Sequence, residues 1–101
     1  MFEVEVLDQF SAAHFLKLYD GSYEPRHGHD WRVAVRVCGD GLDAIGVVTD
    51  FEVLNRALRQ TLDQFEKCLF NERSNFKKTK MNPSTENIAR LIYEKFHYWH
   101  C

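Results

Sequence analysis

Histidines lie at the ends of two stretches in which apolar and polar side chains alternate, and they limit the fold of this chain more than any other feature. Residues 29–38 alternate apolar and polar side chains, which is the two-residue period of a β-strand. His27 and His29 lead into that stretch with one residue between them, so both imidazoles lie on the same face. His14 ends another strand-like stretch and can meet them across a hairpin. Three imidazoles that leave a fourth position open are the ligands of a catalytic zinc ion, so the sequence predicts a zinc site.

Periodicities along the rest of the chain predict the element order β-β-β-α-α. The histidine-bearing stretches are the first two strands, and residues 46–49 supply a short third strand. Asp50 is a helix N-cap, and apolar residues follow it at helical spacing over 51–65. Residues 72–81 are polar and basic and predict a loop, after which 82–86 start a second helix that continues to the end of the chain. Hairpin-linked strands with two helices on one face make an α+β fold with an antiparallel sheet.

Composition narrows the class of protein and of partner. At 101 residues the chain is one small domain, and its 14% aromatic content indicates that apolar surface is buried against other copies of itself. A net charge of −2 with dispersed Lys and Arg gives no general affinity for nucleic acid or for membranes. Three cysteines without a CxxC spacing, and an N-terminus that is neither a signal peptide nor a membrane span, indicate a reducing cytoplasm.

Four motifs in a fixed order carry a resemblance to a known family. They are FSAAH at 10–14, HGH at 27–29, GVVTDF at 46–51 and NPSTENIA at 82–89. Each motif is short, but together they span most of the chain. In this order they resemble the 6-pyruvoyl-tetrahydropterin synthase family, which includes the 6-carboxy-tetrahydropterin synthases of queuosine biosynthesis.

The resemblance implies a fold, an assembly and a reaction. The fold is the tunnelling fold, whose subunits assemble into β-barrels as a homo-oligomer, a hexamer of two stacked trimers, with pterin sites between subunits. The zinc ligands are His14, His27 and His29. The substrate is 7,8-dihydroneopterin triphosphate, whose side chain is rearranged or cleaved. The turn of residues 84–86 contacts the pterin through Ser84, Thr85 and Glu86, although helix capping alone also accounts for these three residue types.

One departure from the family pattern falls four residues before His27. Most of the family has a cysteine there that acts as a general base, whereas this chain has Tyr23, and a phenol of ordinary pKa is a poor base at neutral pH. Glu24 follows, and a branch of the family carries a glutamate at that position. That branch makes 6-hydroxymethyl-7,8-dihydropterin for folate synthesis. The resemblance therefore implies that Glu24 is the catalytic base; the alternative is a solvated charge in a loop.

Two further departures affect the proton relay and the pterin anchor. The family spacing puts Glu66 and Lys67 where relatives have an Asp-His pair, so Glu66 and Lys67 are the candidate catalytic residues in an altered relay. Relatives also continue to a last strand with a pterin-binding glutamate, and the single domain of residues 1–101 is expected to lack it. The favoured product is 6-hydroxymethyl-7,8-dihydropterin. The alternatives are a 6-pyruvoyl or 6-carboxy product, or a zinc-binding member without catalysis.

Overall fold

The computed structural model describes residues 1–96, which form two strands and three α-helices. The elements are β1 (Phe2–His14), β2 (His27–Gly39), α1 (Phe51–Asp63), α2 (Ser74–Lys77) and α3 (Thr85–Glu94), with a 3₁₀ turn at Phe70–Glu72. None of the helices within residues 1–96 is long and apolar enough to cross a membrane.

A long hairpin organises the fold. β1 and β2 are each 13 residues long and pair antiparallel from Phe2 opposite Gly39 to His14 opposite His27. Even-numbered residues of β1 face the helices, where Val6 and Phe10 are buried, while the odd-numbered residues face outward. The alternation in the sequence therefore correctly predicted both strands and the face that each side chain occupies.

Helix α1 covers the inner face of β1. It begins where the sequence predicted, because the Asp50 carboxylate accepts hydrogen bonds from the backbone N–H groups of Glu52 (2.9 Å) and Val53 (3.3 Å). Leu54, Leu58 and Leu62 follow at helical spacing and are fully buried against the sheet. The helix ends at Asp63, two residues earlier than predicted.

Residues 46–49 do not form the predicted third strand. The Asp43 side chain accepts hydrogen bonds from the backbone N–H groups of Ile45 (3.0 Å) and Val47 (3.1 Å), and the Asp43 N–H donates to the Val47 carbonyl (2.9 Å). Gly46 has φ +86°, a left-handed conformation that suits a turn. Because the turn uses backbone groups that a strand would offer to a neighbour, the sheet within residues 1–96 has two strands.

The segment predicted as a loop at 72–81 contains a short helix. Phe76 anchors α2, since its ring is buried and packs edge-to-face on Phe70 with centroids 6.0 Å apart. The sequence did not predict this helix because the residues around Phe76 are mostly charged or polar, which is typical of a loop.

Helix α3 begins as predicted and adds to the same core as α1. The Ser84 hydroxyl accepts from the backbone N–H of Asn87 at 3.1 Å, which caps the first turn. Ile88, Leu91 and Ile92 are buried in one cluster with Val6 and Phe10, so α1 and α3 lie on one face of the hairpin. This agrees with the predicted α+β arrangement. The predicted extension of this helix over 97–101 lies outside the described residues.

Candidate metal centre

Three imidazoles converge where the hairpin strands are joined. His14 is the last residue of β1 and pairs directly with His27, the first residue of β2, while His29 pairs with Ala12. Alternation therefore puts all three imidazoles on the face that carries the core. One ligand nitrogen from each ring lies within 4.8 Å of the other two. The structure thus brings the three predicted histidines together as a cluster that could hold a metal ion.

Hydrogen bonds to backbone carbonyls orient two of the rings. The Nδ1 atom of His14 is 2.7 Å from the carbonyl oxygen of Pro83, and that of His27 is 2.9 Å from the carbonyl oxygen of Pro25. A carbonyl only accepts, so each Nδ1 carries the proton and donates it. Each Nε2 then presents a lone pair, which is the form in which histidine binds a metal. Three imidazoles fit a zinc ion in ligand type, and the two hydrogen bonds leave Nε2 of His14 and of His27 free for it.

Trp31 packs against the cluster from the core side. Its ring is edge-to-face with His14 and His29, at centroid distances of 5.0 Å and 5.3 Å. Its indole N–H donates to the Ala12 carbonyl at 3.2 Å, and Phe10 stacks beside it at 6.3 Å. Trp31 therefore joins the histidine cluster to the apolar core. The signal in the sequence is its position two residues after His29, on the same face of β2.

Exposure increases across the cluster. His14 is 5% exposed, His27 is half-buried and His29 is exposed. The cluster is therefore closed on the His14 side and open to solvent on the His29 side. A ligand has access to the cluster from that side.

Glu24 lies beside the cluster, and its role as a base stays a prediction. Its Oε1 atom is 3.8 Å from Nε2 of His27, the nitrogen that the Nδ1 hydrogen bond to Pro25 leaves free for a metal ion. The same oxygen accepts a hydrogen bond from the backbone N–H of Leu16 at 3.0 Å, and the Glu24 N–H donates to the Leu16 carbonyl at 3.0 Å. The carboxylate is thus held at the edge of the cluster. Tyr23, by contrast, is exposed and packs edge-to-face on Phe15.

Glu66 and Lys67 lie along the outer edge of β1 at Ser11. The Glu66 carboxylate accepts from the Ser11 N–H at 3.1 Å and lies 3.6 Å from the Arg59 guanidinium. The Lys67 N–H donates to the Ser11 carbonyl at 2.6 Å, and Lys67 has φ +60°. Lys67 also lines a shallow cleft of about 430 Å³ together with His29. The structure therefore places Lys67 near one of the histidines and Glu66 in an ion pair with α1.

Comparison with known proteins decides the family. Residues 3–98 match the family model for 6-pyruvoyl tetrahydropterin synthase. The chain belongs to this family. It is 32% identical to the 6-carboxy-5,6,7,8-tetrahydropterin synthase of Bacillus subtilis (strain 168) over 96 residues, which are 92% of this chain and 64% of that relative. The chain therefore spans less than two thirds of the length of this relative.

Solved structures of the 6-pyruvoyl tetrahydropterin synthase family share the fold. The Caenorhabditis elegans 6-pyruvoyl tetrahydropterin synthase matches with a TM-score of 0.80 and 26% identity, over 97% of this chain and 78% of that chain. The Plasmodium vivax 6-pyruvoyl tetrahydropterin synthase matches with a TM-score of 0.56 and 28% identity, over 68% of this chain and 44% of that chain. Two variants of the Plasmodium protein, in which a glutamate described as a catalytic residue is replaced by Ala or Cys, match with a TM-score of 0.55.

The turn that resembles the family's pterin contact lies next to the histidine cluster. Pro83, whose carbonyl holds His14, directly precedes Ser84, which caps α3. Thr85 lines an apolar cleft between β2 and α3, and Glu86 is exposed in the first turn of the helix. Capping accounts for Ser84, and contact of these three residues with a substrate stays a prediction.

Cys68 follows Lys67 and lines the same shallow cleft. Burial raises the pKa of the Cys68 thiol, and the positive charge of Arg73 opposes this shift only in part. The thiol therefore stays protonated at neutral pH and is a poor nucleophile. The same cleft holds Asp30, whose carboxylate accepts from the Ser11 hydroxyl at 2.6 Å.

Proposed function

We propose that this protein is a zinc-dependent enzyme that acts on 7,8-dihydroneopterin triphosphate and releases 6-hydroxymethyl-7,8-dihydropterin. The observation that carries the proposal is the position of Glu24, whose carboxylate lies 3.8 Å from Nε2 of His27. A carboxylate there can remove and return a proton on a substrate held at the cluster. The Plasmodium vivax variants support a glutamate in this role, because they replace a glutamate described as catalytic.

The proposed zinc ligands are His14, His27 and His29. Their convergence within 4.8 Å and the Nδ1 hydrogen bonds of His14 and His27 support this set. When bound, zinc supplies a Lewis acid that lowers the pKa of substrate hydroxyls. Because His29 is exposed, a substrate can reach the cluster from solvent.

The proposed reaction breaks one carbon–carbon bond of the substrate side chain. Glu24 removes the proton from the hydroxyl of the second side-chain carbon, and the electron pair of that O–H bond forms a C=O bond. The bond between the first and second side-chain carbons breaks, and its electron pair goes to the first carbon. Glu24 then returns the proton to that carbon. The products are the 6-hydroxymethyl pterin and a two-carbon aldehyde that keeps the triphosphate.

Other residues have secondary roles in the proposal. The Lys67 ammonium group binds phosphate or donates a proton, and its place in the cleft beside His29 supports this. Glu66 is included because the family spacing puts it where relatives have the aspartate of the relay pair. Ser84, Thr85 and Glu86 contact the pterin from the turn that also positions His14.

The proposal includes a homo-oligomer, a hexamer or a trimer, built as a β-barrel in the cytoplasm. An open apolar cleft of about 590 Å³ between β2 and α3 supports association. Its apolar lining includes Val33, Val35, Ile88 and Ile92. Large apolar side chains on the outer face, such as Leu7, are also exposed and available for contact with another subunit.

A second candidate is a 6-carboxy or 6-pyruvoyl tetrahydropterin product from the same substrate. The observation that favours it is the 32% identity to the Bacillus subtilis 6-carboxy-5,6,7,8-tetrahydropterin synthase. The position of Glu24 favours the hydroxymethyl product, since Tyr23 stands where the cysteine base of the other branches is expected.

The experiment is turnover of 7,8-dihydroneopterin triphosphate by zinc-loaded protein, with the products separated and identified by mass. We expect a 6-hydroxymethyl product that is lost in Glu24→Ala while zinc stays bound. Glu94→Ala, on the exposed end of α3, is the matched control and should leave the rate unchanged. A 6-carboxy or 6-pyruvoyl product would support the second candidate. A folded, zinc-bound protein that forms no product would be a non-catalytic member of the family.

A further inference from the structure

We infer that Asn71 and Asn82 are positioning residues that fix the direction of the Glu24 carboxylate by clamping the backbone of residues 15–17. The consequence for catalysis rests on the proposed function, in which Glu24 is the base. The clamp itself consists of hydrogen bonds from the two asparagine side chains to Phe15 and Lys17.

The backbone of each of the three residues after His14 forms a pair of hydrogen bonds, and each pair has a different partner residue. The Asn71 side chain accepts from the Phe15 N–H (3.0 Å) and donates to the Phe15 carbonyl (2.8 Å). The Asn82 side chain does the same for Lys17, at 2.9 Å and 3.0 Å. Each amide thus takes the place of a neighbouring strand's backbone and satisfies one donor and one acceptor.

Leu16 lies between the two clamped residues and binds Glu24. Its N–H donates to Oε1 of Glu24 at 3.0 Å, and its carbonyl accepts from the Glu24 N–H at 3.0 Å. The direction of the Leu16 N–H therefore decides where that carboxylate oxygen lies, and the oxygen is 3.8 Å from His27.

Planar peptide units join these three pairs of hydrogen bonds. The carbonyl of Phe15 and the N–H of Leu16 belong to one rigid peptide plane, so Asn71 and Glu24 bind opposite sides of the same unit. The carbonyl of Leu16 and the N–H of Lys17 share the next plane, which Asn82 holds in the same way. Rotation of either plane would move the hydrogen-bond partner of Glu24. Both asparagines therefore act on Glu24 through covalent geometry.

Buried structure anchors both asparagines. Asn71 lies in the 3₁₀ turn beside fully buried Phe70. The Asn82 carbonyl accepts from the Asn87 side chain at 2.8 Å, and the following residue, Pro83, is buried and holds His14. The turn before α3 thus orients a proposed metal ligand and, through Asn82, the proposed base.

Amide hydrogen exchange tests the clamp without any need for activity. In Asn82→Ala we expect the Leu16 amide to exchange at least about ten-fold faster, relative to the Val6 amide in the core of β1. Asn82 does not bond the Leu16 N–H directly, so a purely local role would change Lys17 and leave Leu16 as it is. Asn71→Ala should give the same increase at Leu16. Asn75→Ala, on the exposed surface of α2, is the matched control and should give none.

Normalising to Val6 keeps the test valid in a destabilised protein, because global opening accelerates both amides. If Asn82→Ala does not fold, Asn82→Asp serves instead, since it keeps the acceptor for the Lys17 N–H and loses the donor. An unchanged Leu16-to-Val6 ratio in the Asn71 and Asn82 variants would overturn the inference.

Turnover adds a second measurement. In an active protein we expect Asn82→Ala to lower kcat at least about ten-fold, while KM changes less than about two-fold and zinc stays bound. An unchanged kcat with a raised Leu16 exchange rate would overturn the consequence for catalysis. A wild-type protein that neither binds zinc nor turns over substrate would refute the proposed function, and the exchange result at Leu16 would still decide the clamp.

Discussion

Trp31 meets His14 edge-to-face, with ring centroids 5.0 Å apart and ring planes at 84°. We expect this contact to report metal binding, because a paramagnetic ion held by His14 lies close enough to quench the indole fluorescence. Titration with Co²⁺ should quench part of the tryptophan emission and saturate at one ion per chain. Trp31→Phe should lose most of that quenching and still bind the ion by equilibrium dialysis. Equal quenching in both proteins would place the ion elsewhere.

Removal of the metal should lower thermal stability. A ligand that binds only the folded state, and is present at a concentration of 100 times its Kd, raises the free energy of unfolding by about 2.7 kcal/mol. A chelator should therefore lower the Tm of zinc-loaded protein by at least about 5 °C. His14→Ala removes the most buried of the three imidazoles, and its Tm should not respond to the chelator. If the chelator lowered the Tm of both proteins equally, a metal site at His14 would be contradicted.

The N-cap role of Ser84 can be separated from its proposed substrate role by comparison with Asp50, which caps another helix. Ser84→Ala and Asp50→Ala each remove a side-chain cap and should each lower the free energy of unfolding by about 1 kcal/mol. If Ser84 also contacts the pterin, only Ser84→Ala should raise KM. A KM that stays the same in both variants would leave capping as the sole role of Ser84. Urea unfolding and initial rates are the two measurements.

Lys67 adopts a left-handed conformation that costs a non-glycine residue about 1–2 kcal/mol. Lys67→Gly relieves this cost but makes the unfolded chain more flexible, so the free energy of unfolding should rise by roughly 0.5 kcal/mol. If the ammonium group serves the reaction, activity should fall in the same variant. Lys77→Gly in α2, where the backbone is helical, should instead be destabilising.

The Cys68 thiol should react slowly with alkylating reagents. Burial raises the pKa of this thiol, so at pH 8 a smaller fraction is thiolate than in an unfolded chain. Iodoacetamide labelling of the Cys68 peptide, followed by mass, should be slower in the folded protein than in urea. Folding favours the protonated thiol, so its contribution to stability is present below the unfolded pKa and decreases as the pH rises past it. Equal labelling rates in the folded protein and in urea would contradict the raised pKa of Cys68.

The sequence predicted those features that depend on local periodicity. Two-residue alternation fixed both strands and the face of the histidines, and Asp50 and Ser84 predicted the helix starts. The prediction at 46–49 was wrong because a short apolar run is ambiguous and the Asp43 turn took its backbone groups. Helix α2 was missed because one buried aromatic residue anchors it among charges.

The clamps of the candidate site could not have been predicted in this way. Asn71 and Asn82 bind backbone groups 56 and 65 residues away, and a side-chain bond to a peptide group leaves no pattern in either partner's sequence. Glu24 was singled out by the family resemblance three residues before His27, and its Oε1 atom lies 3.8 Å from Nε2 of that histidine. Its role as a base stays a prediction.

The shared face of the histidines and the core has a consequence for how the hairpin finds its alignment. A slip of β2 by one residue against β1 would turn His27 and His29 to the outer face, together with every apolar side chain of that strand. A chain with that misalignment would lose its core and its histidine cluster in the same step. A bound ion would therefore select the correctly aligned hairpin during maturation, in addition to any part it has in turnover.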